Sequence, residues 1–499
     1  MSPHNGVVKP RSYDQRAVVQ RVIGVLLMFF SASMLPPLGV ALGYGDGAET
    51  AFALGFVIVL AAGFIVWLPA RHAHGDLRVR DGVLITVLFW TVLGFVGAVP
   101  LRIATDAWNG WTDAVFESVS GLTTTGATVA VGLDHLPHAL NFYRAELHFL
   151  GGMGILVLAV AVMPMLGVGG MQLVKAETAG PMKDAKLAPR IAQTARALWL
   201  VYVGIIAVCT LAYHLAGMSW FDAICHAMST IATGGFSTHD ASIGYFNNPL
   251  LEYVVSFFTL LGAINFGLHY LALRGGGLKI YWQDEEFRVF AAMALMLIAA
   301  VAVPLAGYGA YHGDWELAFR RALFQTVAFG ANAGFATDDP THWPSYVPVL
   351  LMLSTYFMGM AGSTAAGFKA VRVLLLFKQG VRELVRLVHP SAELTIKLNH
   401  RRVGDSVIAS VTGFFATYVA VVAFMTLLLM LLSSNLDFLT AFSAVSTCIN
   451  NTGPGLGIVN ATMVPVSMPG KWLLTFAMLL GRLEIFTLLV VFTPVFWRK

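Results

Sequence analysis

The chain has 499 residues, 57% of them hydrophobic and only 12% charged, with a mean hydropathy of +0.73. A soluble globule carries about a quarter charged residues, so this composition excludes an ordinary soluble protein and predicts an integral membrane one. The formal net charge of +4 gives no pointer to nucleic acid, and only its distribution is informative.

Met1–Arg21 is polar and basic and runs directly into an apolar stretch, without a small-residue cleavage site, so no removable signal peptide is expected. Apolar runs suited to a hydrocarbon core of ~30 Å then recur along the chain. They are Val22–Ala41, Ala51–Leu68, Val83–Val99, Leu198–Ala216, Ala291–Ala306, Leu350–Met360, Ser406–Leu432 and Trp472–Val495. An acidic turn, Gly43–Glu49, separates the first two. Its glycines superficially resemble a GxGxxG nucleotide loop, but they lie between two spans with no strand before them, so that reading is discarded.

Most of the 31 Lys and Arg fall on one side of this arrangement, from Lys9 and Arg21 through Arg71–Arg80, Lys175–Arg196, Arg274–Arg288 and Arg372–Arg402 to Lys499. The other side receives Arg102, Arg144, Arg320, Arg321 and Lys471, while Lys369 and Arg482 fall inside spans. By the positive-inside rule both termini are cytoplasmic. Cys209, Cys225 and Cys448 are scattered without a CxxC spacing, which suggests neither a metal site nor a disulfide framework. His148, His214, His226, His239 and His269 share no ligand spacing and read as structural.

This topology requires one short segment per unit to dip in from outside and return. Trp111–Thr123 is the first such segment: a helix of roughly a dozen residues is about 18 Å long, too short to span. A Thr/Gly run follows it, and a long span starts after His138. Four copies of this pattern occur: Phe116–Thr128 (FESVSGLTTTGAT), His226–Thr238 (HAMSTIATGGFST), Phe324–Thr337 (FQTVAFGANAGFAT) and Phe442–Gly457 (FSAVSTCINNTGPGLG). They align on Gly126, Gly235, Gly334 and Gly453 at near-regular intervals. The chain is thereby predicted to be an all-α polytopic protein. Its expected divisions are an N-terminal helix pair (1–80) and four repeats of half-helix, return loop and full helix (81–188, 189–283, 284–398 and 399–499).

The residue types suit cation conduction. A dehydrated alkali cation needs inward-pointing carbonyls to replace its water, and glycine adopts the backbone that aims them without a Cβ penalty. The negative end of each half-helix dipole faces the pore. Asp106, Asp134, Asp240, Asp338 and Asp339 would gather cations at the outer mouth. In any single copy the small residues would read more readily as close-packing positions than as ion ligands. Their fourfold recurrence favours a pore.

These motifs resemble the bacterial Trk-type potassium-uptake family, its TrkH/TrkG membrane subunit, within the Trk/Ktr/HKT superfamily. The likeness rests on Leu122–Thr128, Gly151–Ile155 with Lys175–Thr178, Gly234–Asp240, Asn450–Gly457 and Gly481–Phe486, and it extends from about Arg16 to the end. It implies four M1–pore-helix–M2 repeats around a pseudo-fourfold pore, preceded by two extra transmembrane helices, with filter carbonyls at Thr124, Thr125 and Gly126; Thr233, Gly234 and Gly235; Asn332, Ala333 and Gly334; and Asn451, Thr452 and Gly453. In the superfamily a serine at the first filter glycine accompanies sodium permeability, so Gly126 implies potassium. The resemblance also implies a homodimer with one pore per protomer, and a cytosolic nucleotide-binding TrkA-like ring as partner. Basic loops around Lys183–Arg196, Arg274–Arg288 and Arg372–Arg402 are the candidate docking surface for that ring, though fixing topology suffices to explain most of these charges. Membrane lipid is the remaining partner, and no cofactor is expected besides K⁺ as the transported ion.

Below the filter the family has an intramembrane loop in the third repeat, matched here by Gly359–Lys369 with Gly359, Gly362, Ser363, Thr364, Gly367 and Lys369 as gate residues. Read directly, the apolar stretch from Val347 to Phe377 is too long for one untilted span, and glycines and hydroxyls break its middle. Such backbone is tolerated only where protein buries it or it lines water, which gives either a gate or a glycine kink. Ala366 stands where family members often have glycine, implying a stiffer loop. Arg482 is an intramembrane charge and a functional candidate by default; in the family the matching arginine is an electrostatic barrier below the filter. Neutralisation by Glu484 is the alternative, although residues two apart on a helix do not face each other. Lys369 could instead snorkel toward the cytoplasm.

The function so predicted is potassium uptake across the bacterial inner membrane through a gated pore. An Na⁺- or H⁺-coupled carrier with alternating access is the alternative, although carriers tend to show inverted repeats. No paired carboxylates, nucleophile elbow or HExxH occurs in a span, so no enzyme is expected.

Overall fold

The computed structural model describes residues 15–498 except 74, 76–77, 106–107, 109, 155–190, 308–310 and 393. The Lys175–Thr178 motif, Asp106 and the basic residues Lys183–Arg190 lie outside the described residues. Among the described residues, six helices are long and apolar enough to cross a membrane, or eight if each of two sharply bent pairs counts as one span. The chain is an all-α polytopic membrane protein.

At the N-terminal end, α1 (Gln15–Ser31) and α2 (Leu35–Tyr44) run on through one turn of 3₁₀ helix and pair with α3 (Glu49–Ala70). Glycines allow close approach here: a Cβ on Gly24 would stand 2.7 Å from Trp67, and one on Gly63 2.8 Å from Met28. Four groups of helices follow. The first comprises α4 (Val79–Val96), α5 (Ala98–Ala104), the short α6 (Trp111–Leu122) and α7 (His138–Gly152). The second comprises α8 (Ile191–Leu215), the short α9 (Trp220–Ile231), α10 (Pro249–Ala263) and α11 (Phe266–Leu271). After α12 (Lys279–Gln283), the third has α13 (Glu285–Gly307), α14 (Trp315–Gly330), α15 (Tyr346–Ser354) and α16 (Ala370–Val388). The fourth has α17 (Asp405–Leu432), α18 (Phe438–Ile449), α19 (Met468–Arg482) and α20 (Phe486–Leu489), before a last turn, α21 (Pro494–Trp497).

The short helices α6, α9, α14 and α18 are the predicted half-helices, and the last three start where a side chain accepts from a free backbone N–H. Ser219, Asp314 and Asp437 accept from Asp222, Leu317 and Thr440. α6 starts at Gly110 without a side-chain cap, and Asp113 in its first turn is tied to Lys471 Nζ at 2.8 Å. Negative charge in a first turn also suits the positive end of the helix dipole.

Two apolar runs differ from their expected form. Trp472–Val495 is not one span. It turns by 109° between α19 and Phe486–Phe492, because Glu484 and Ile485 take positive φ values of 52° and 48°. Leu350–Met360 is helical only as far as Ser354, after which the chain enters an irregular segment. A third break was not foreseen. α10 and the helix from Phe266 meet at 95°, and Asn265 restarts the helix by accepting from Gly267 N–H at 2.7 Å. The hairpin Lys397–Leu398/Arg401–Arg402 turns at Asn399–His400, both at positive φ.

The first half-helix is locked to its neighbours by a buried ion pair. Arg144 Nε and Glu117 Oε1 are 2.8 Å apart and essentially inaccessible. Glu117 also accepts from Thr128 Oγ1 (2.8 Å) and Val129 N–H (3.0 Å). Arg144 donates to Asn141 Oδ1 and the Ser237 carbonyl and lies 4.2 Å from the Phe236 ring centroid. Removing one partner of such a pair strands a buried charge. Arg144→Met is therefore expected to cost about 3–5 kcal/mol, read as a lowered thermal midpoint in detergent, while Arg144→Met/Glu117→Met recovers part of the loss.

Candidate functional site: a ring of four loops

Each half-helix ends in a loop with the same backbone sequence. Thr124, Thr233, Asn332 and Asn451 have φ of 56°, 53°, 59° and 49°, and two residues later Gly126, Gly235, Gly334 and Gly453 have φ of 78°, 85°, 65° and 104°. A β-branched residue at positive φ is a genuine outlier. Two threonines hold it here because the surrounding contacts overdetermine it.

The glycines interlock. An added Cβ would stand 1.9 Å from the Gly234 carbonyl oxygen at Gly126, 2.2 Å from that of Ala333 at Gly235, 1.9 Å from that of Thr452 at Gly334 and 2.9 Å from that of Thr125 at Gly453. Each loop thus meets the next in the order one, two, three, four and back to one. All twelve residues named as filter candidates, 124–126, 233–235, 332–334 and 451–453, come together in this closed ring. The asparagines do more than contribute backbone. Asn332 Nδ2 donates to Thr452 Oγ1 (2.7 Å) and to the Asn450 and Thr355 carbonyls (both 2.9 Å). Asn451 Nδ2 donates to Thr125 Oγ1 (2.7 Å) and the Met478 carbonyl (3.0 Å). Choosing these positions for their carbonyls did not foresee the cross-loop role of their side chains.

Above the ring is a cavity of about 350 Å³ that touches all four glycines and is lined by His239, Asp240, Asp338 and Asp339 among others. These carboxylates are not simply free charges. Asp240 accepts from Gly132 and Leu133 N–H, Asp338 from Tyr311 Oη, and Asp339 from Thr341 N–H and Asn460 Nδ2. Asp134 pairs with His239 Nδ1 at 2.5 Å, and Asp222 stands 3.5 Å from His239 Nε2. The structural reading of the histidines holds for packing, since His148 stacks on Phe236 and bonds Ser229 Oγ. His239, however, stands at the mouth itself.

Below the ring lie the predicted gate residues. Gly362, Gly367 and Lys369 have φ of 75°, 77° and 74°. Thr364 Oγ1 donates to the carbonyls of Ile231 (2.8 Å) and Gly262 (2.9 Å), at the ends of α9 and α10. Phe266 N–H donates to the Gly362 carbonyl at 3.0 Å, so the unforeseen break at Asn265 cradles this loop. Ser363 Oγ bonds the Met360 carbonyl, and Ala370 N–H bonds the Gly359 carbonyl. Ala366 is not at positive φ, so its methyl adds no backbone strain there. Lys369 is buried, with Nζ on the Ala365 carbonyl, and does not snorkel. Arg482 donates to Thr124 Oγ1 (3.2 Å), the Thr364 carbonyl (3.3 Å) and the Gly151 carbonyl (2.5 Å). Its guanidinium bridges the first loop of the ring and the Gly359–Lys369 segment. The salt bridge of Glu484 runs to Arg372, across the break after α19.

A family model described as TrkH, cation transport protein, matches residues 48–499. The chain belongs to the TrkH family. It is 50% identical over 481 residues to the Trk system potassium uptake protein TrkH of Salmonella typhimurium, covering 96% of this chain and 99% of that one. To the Trk system potassium uptake protein TrkG of Escherichia coli it is 42% identical over 482 residues, covering 97% and 99%. It superposes on the crystal structure of the potassium transporter TrkH from Vibrio parahaemolyticus with a TM-score of 0.88 at 47% identity, covering 97% and 100%. Membership in a cation-transport family bears out the Trk-type resemblance and the reading of a transporter rather than an enzyme.

In this TrkH-family chain the outer His239 cluster has a definite pH behaviour. Burial opposes charging of His239, but the Asp222 and Asp134 carboxylates facing its two ring nitrogens outweigh it and raise its pKa above the ordinary 6.5. Burial likewise opposes charging of Asp134, and the His239 contact outweighs it, lowering the pKa below 3.8. A raised histidine pKa contributes stability that is complete below 6.5 and lost as pH rises through the folded-state value. A lowered carboxylate pKa contributes above 3.8 and is lost below it. The clasp is therefore expected to hold in the acidic window between them and loosen as pH rises past it. His239→Gln should flatten the pH dependence of the melting temperature on the alkaline side of pH 6.5, as measured by melts at stepped pH.

Proposed function

We propose that this chain takes up potassium across the bacterial inner membrane through a selective, gated pore on the axis of the four-loop ring. The reading is carried by one observation: four loops of matching backbone geometry close on one another, each glycine against the next loop's carbonyl. Carbonyls of residues 124–126, 233–235, 332–334 and 451–453 would replace the hydration shell of K⁺, and the negative ends of the four half-helices would favour the cation. Potassium is the ion printed in the names of the relatives. Gly359–Lys369 and Arg482 beneath the ring form the gate, the loop as a steric plug and the guanidinium as an electrostatic barrier. The positive-inside distribution puts both termini in the cytoplasm. The Trk resemblance further suggests a homodimer and a separate cytosolic nucleotide-binding ring on the basic loops.

Reconstituted into liposomes loaded with K⁺, wild-type protein is expected to take up ⁸⁶Rb⁺, with competition by K⁺ far stronger than by Na⁺. Gly126→Ser places a Cβ 1.9 Å from the Gly234 oxygen and should weaken that selectivity. Arg482→Ala should raise the flux. Uptake untouched by either substitution, or a reversal potential that follows a second ion, would put a coupled carrier in place of the pore.

A further inference from the structure

Glu286 is a buried carboxylate in the first turn of α13. It belongs to neither the ring nor the loop. Its Oε1 accepts from Ala361 N–H at 2.7 Å and from Val371 N–H at 3.2 Å. Those two amides stand at opposite ends of the intramembrane segment, one just after Met360 and the other in the first turn of α16. A single oxygen therefore joins the entrance and exit of the loop. It does so from a different helix, and the Val371 end of this clamp is buried while the Ala361 end is half-buried.

The base of α13 is itself fixed. Asn399 Oδ1 accepts from Glu285 N–H (2.7 Å), Asn399 N–H donates to Glu285 Oε2 (3.1 Å), and Asn399 Nδ2 donates to Asp284 Oδ2 (2.8 Å). Lys378 of α16 also pairs with Glu285. α13 thus presents Glu286 from a rigid platform, and the loop hangs on it. The contacts made by Thr364, Gly362 and Arg482 hold the pore-side tip of the loop. Glu286 holds its stem.

We propose that Glu286 is the positioning residue that staples the intramembrane loop in its closed, pore-blocking form, so that releasing its two amide contacts frees the loop to withdraw. This rests on reading the loop as the gate. Loss of both amide contacts is expected to shift a two-state gate by about tenfold.

The test uses full-length protein in liposomes and reads ⁸⁶Rb⁺ flux together with Rb⁺ over Na⁺ preference. Glu286→Ala is expected to raise flux about tenfold with ion preference unchanged, because the ring is not touched. Glu286→Gln, which keeps an acceptor oxygen, should recover most of the closure. Glu286→Asp withdraws the carboxylate by one methylene and gives a second opened variant should Glu286→Ala fail to fold. Loss of a merely structural contact would lower flux or yield, not raise flux. Deletion of residues 362–364 supplies the control for the gate itself. If that deletion raises flux while the folded Glu286 variants leave it at or below wild type, the staple is refuted and the gate stands. If neither the deletion nor the Glu286 variants raise flux, the gate reading fails first.

Discussion

The structure depends on a contact that only glycine permits, the seating of one loop's Cα against the carbonyl oxygen of the next. At Gly126, Gly235 and Gly334 a methyl group would overlap that oxygen by more than an ångström of normal contact distance, and at Gly453 it would be tight. These contacts bring four backbones to one axis, leaving carbonyls as the groups that can face it. The half-helices, their caps and the buried Glu117–Arg144 pair all hold those backbones in place. Asn332 and Asn451 add side-chain ties, but only between loops three and four and between four and one. The ring is fourfold in backbone and not in side chains.

Beneath the ring the constraint changes from backbone approach to charge. Arg482 brings a positive group to membrane depth and satisfies it with oxygens of three segments. Its neighbour Glu484 is drawn off to Arg372, which also lies 4.3 Å from the Phe414 ring centroid. The turn after α19 makes this separation possible, since an unbroken helix would carry both charges along one rod. Breaks in second helices at Asn265, Ser354–Lys369 and Glu484–Ile485 converge on the same level. Irregular backbone in a membrane protein belongs where protein or water can satisfy it: the Asn265 break and the Gly359–Lys369 segment satisfy each other, whereas Glu484 and Ile485 N–H bond within their own turn, to the Gly481 and Leu480 carbonyls.

The spans and the four loops were legible in the sequence because each is fixed by a local requirement. A hydrocarbon core demands apolar runs, and close approach at positive φ demands glycine at 126, 235, 334 and 453. The Gly359–Lys369 segment was legible for the same reason, since its glycines interrupt an apolar stretch. The breaks at Asn265 and Ile485 were not. Asn265 is one polar residue in an apolar run, and Ile485 sits at positive φ against the steric preference of a β-branched side chain. Only tertiary contacts select those conformations. Glu286 was hidden likewise, because nothing local says that its oxygen reaches residues 361 and 371. That Lys369 folds back to the Ala365 carbonyl follows from its buried position in the loop, which hydropathy does not convey.

The most direct measurement is anomalous diffraction from crystals of the intact protein grown with Rb⁺ in place of K⁺. Anomalous density on the axis inside the ring of residues 124–126, 233–235, 332–334 and 451–453 is the expected result. An axis without such density, with Rb⁺ ordered at another place in the membrane region, would contradict a pore lined by these four loops.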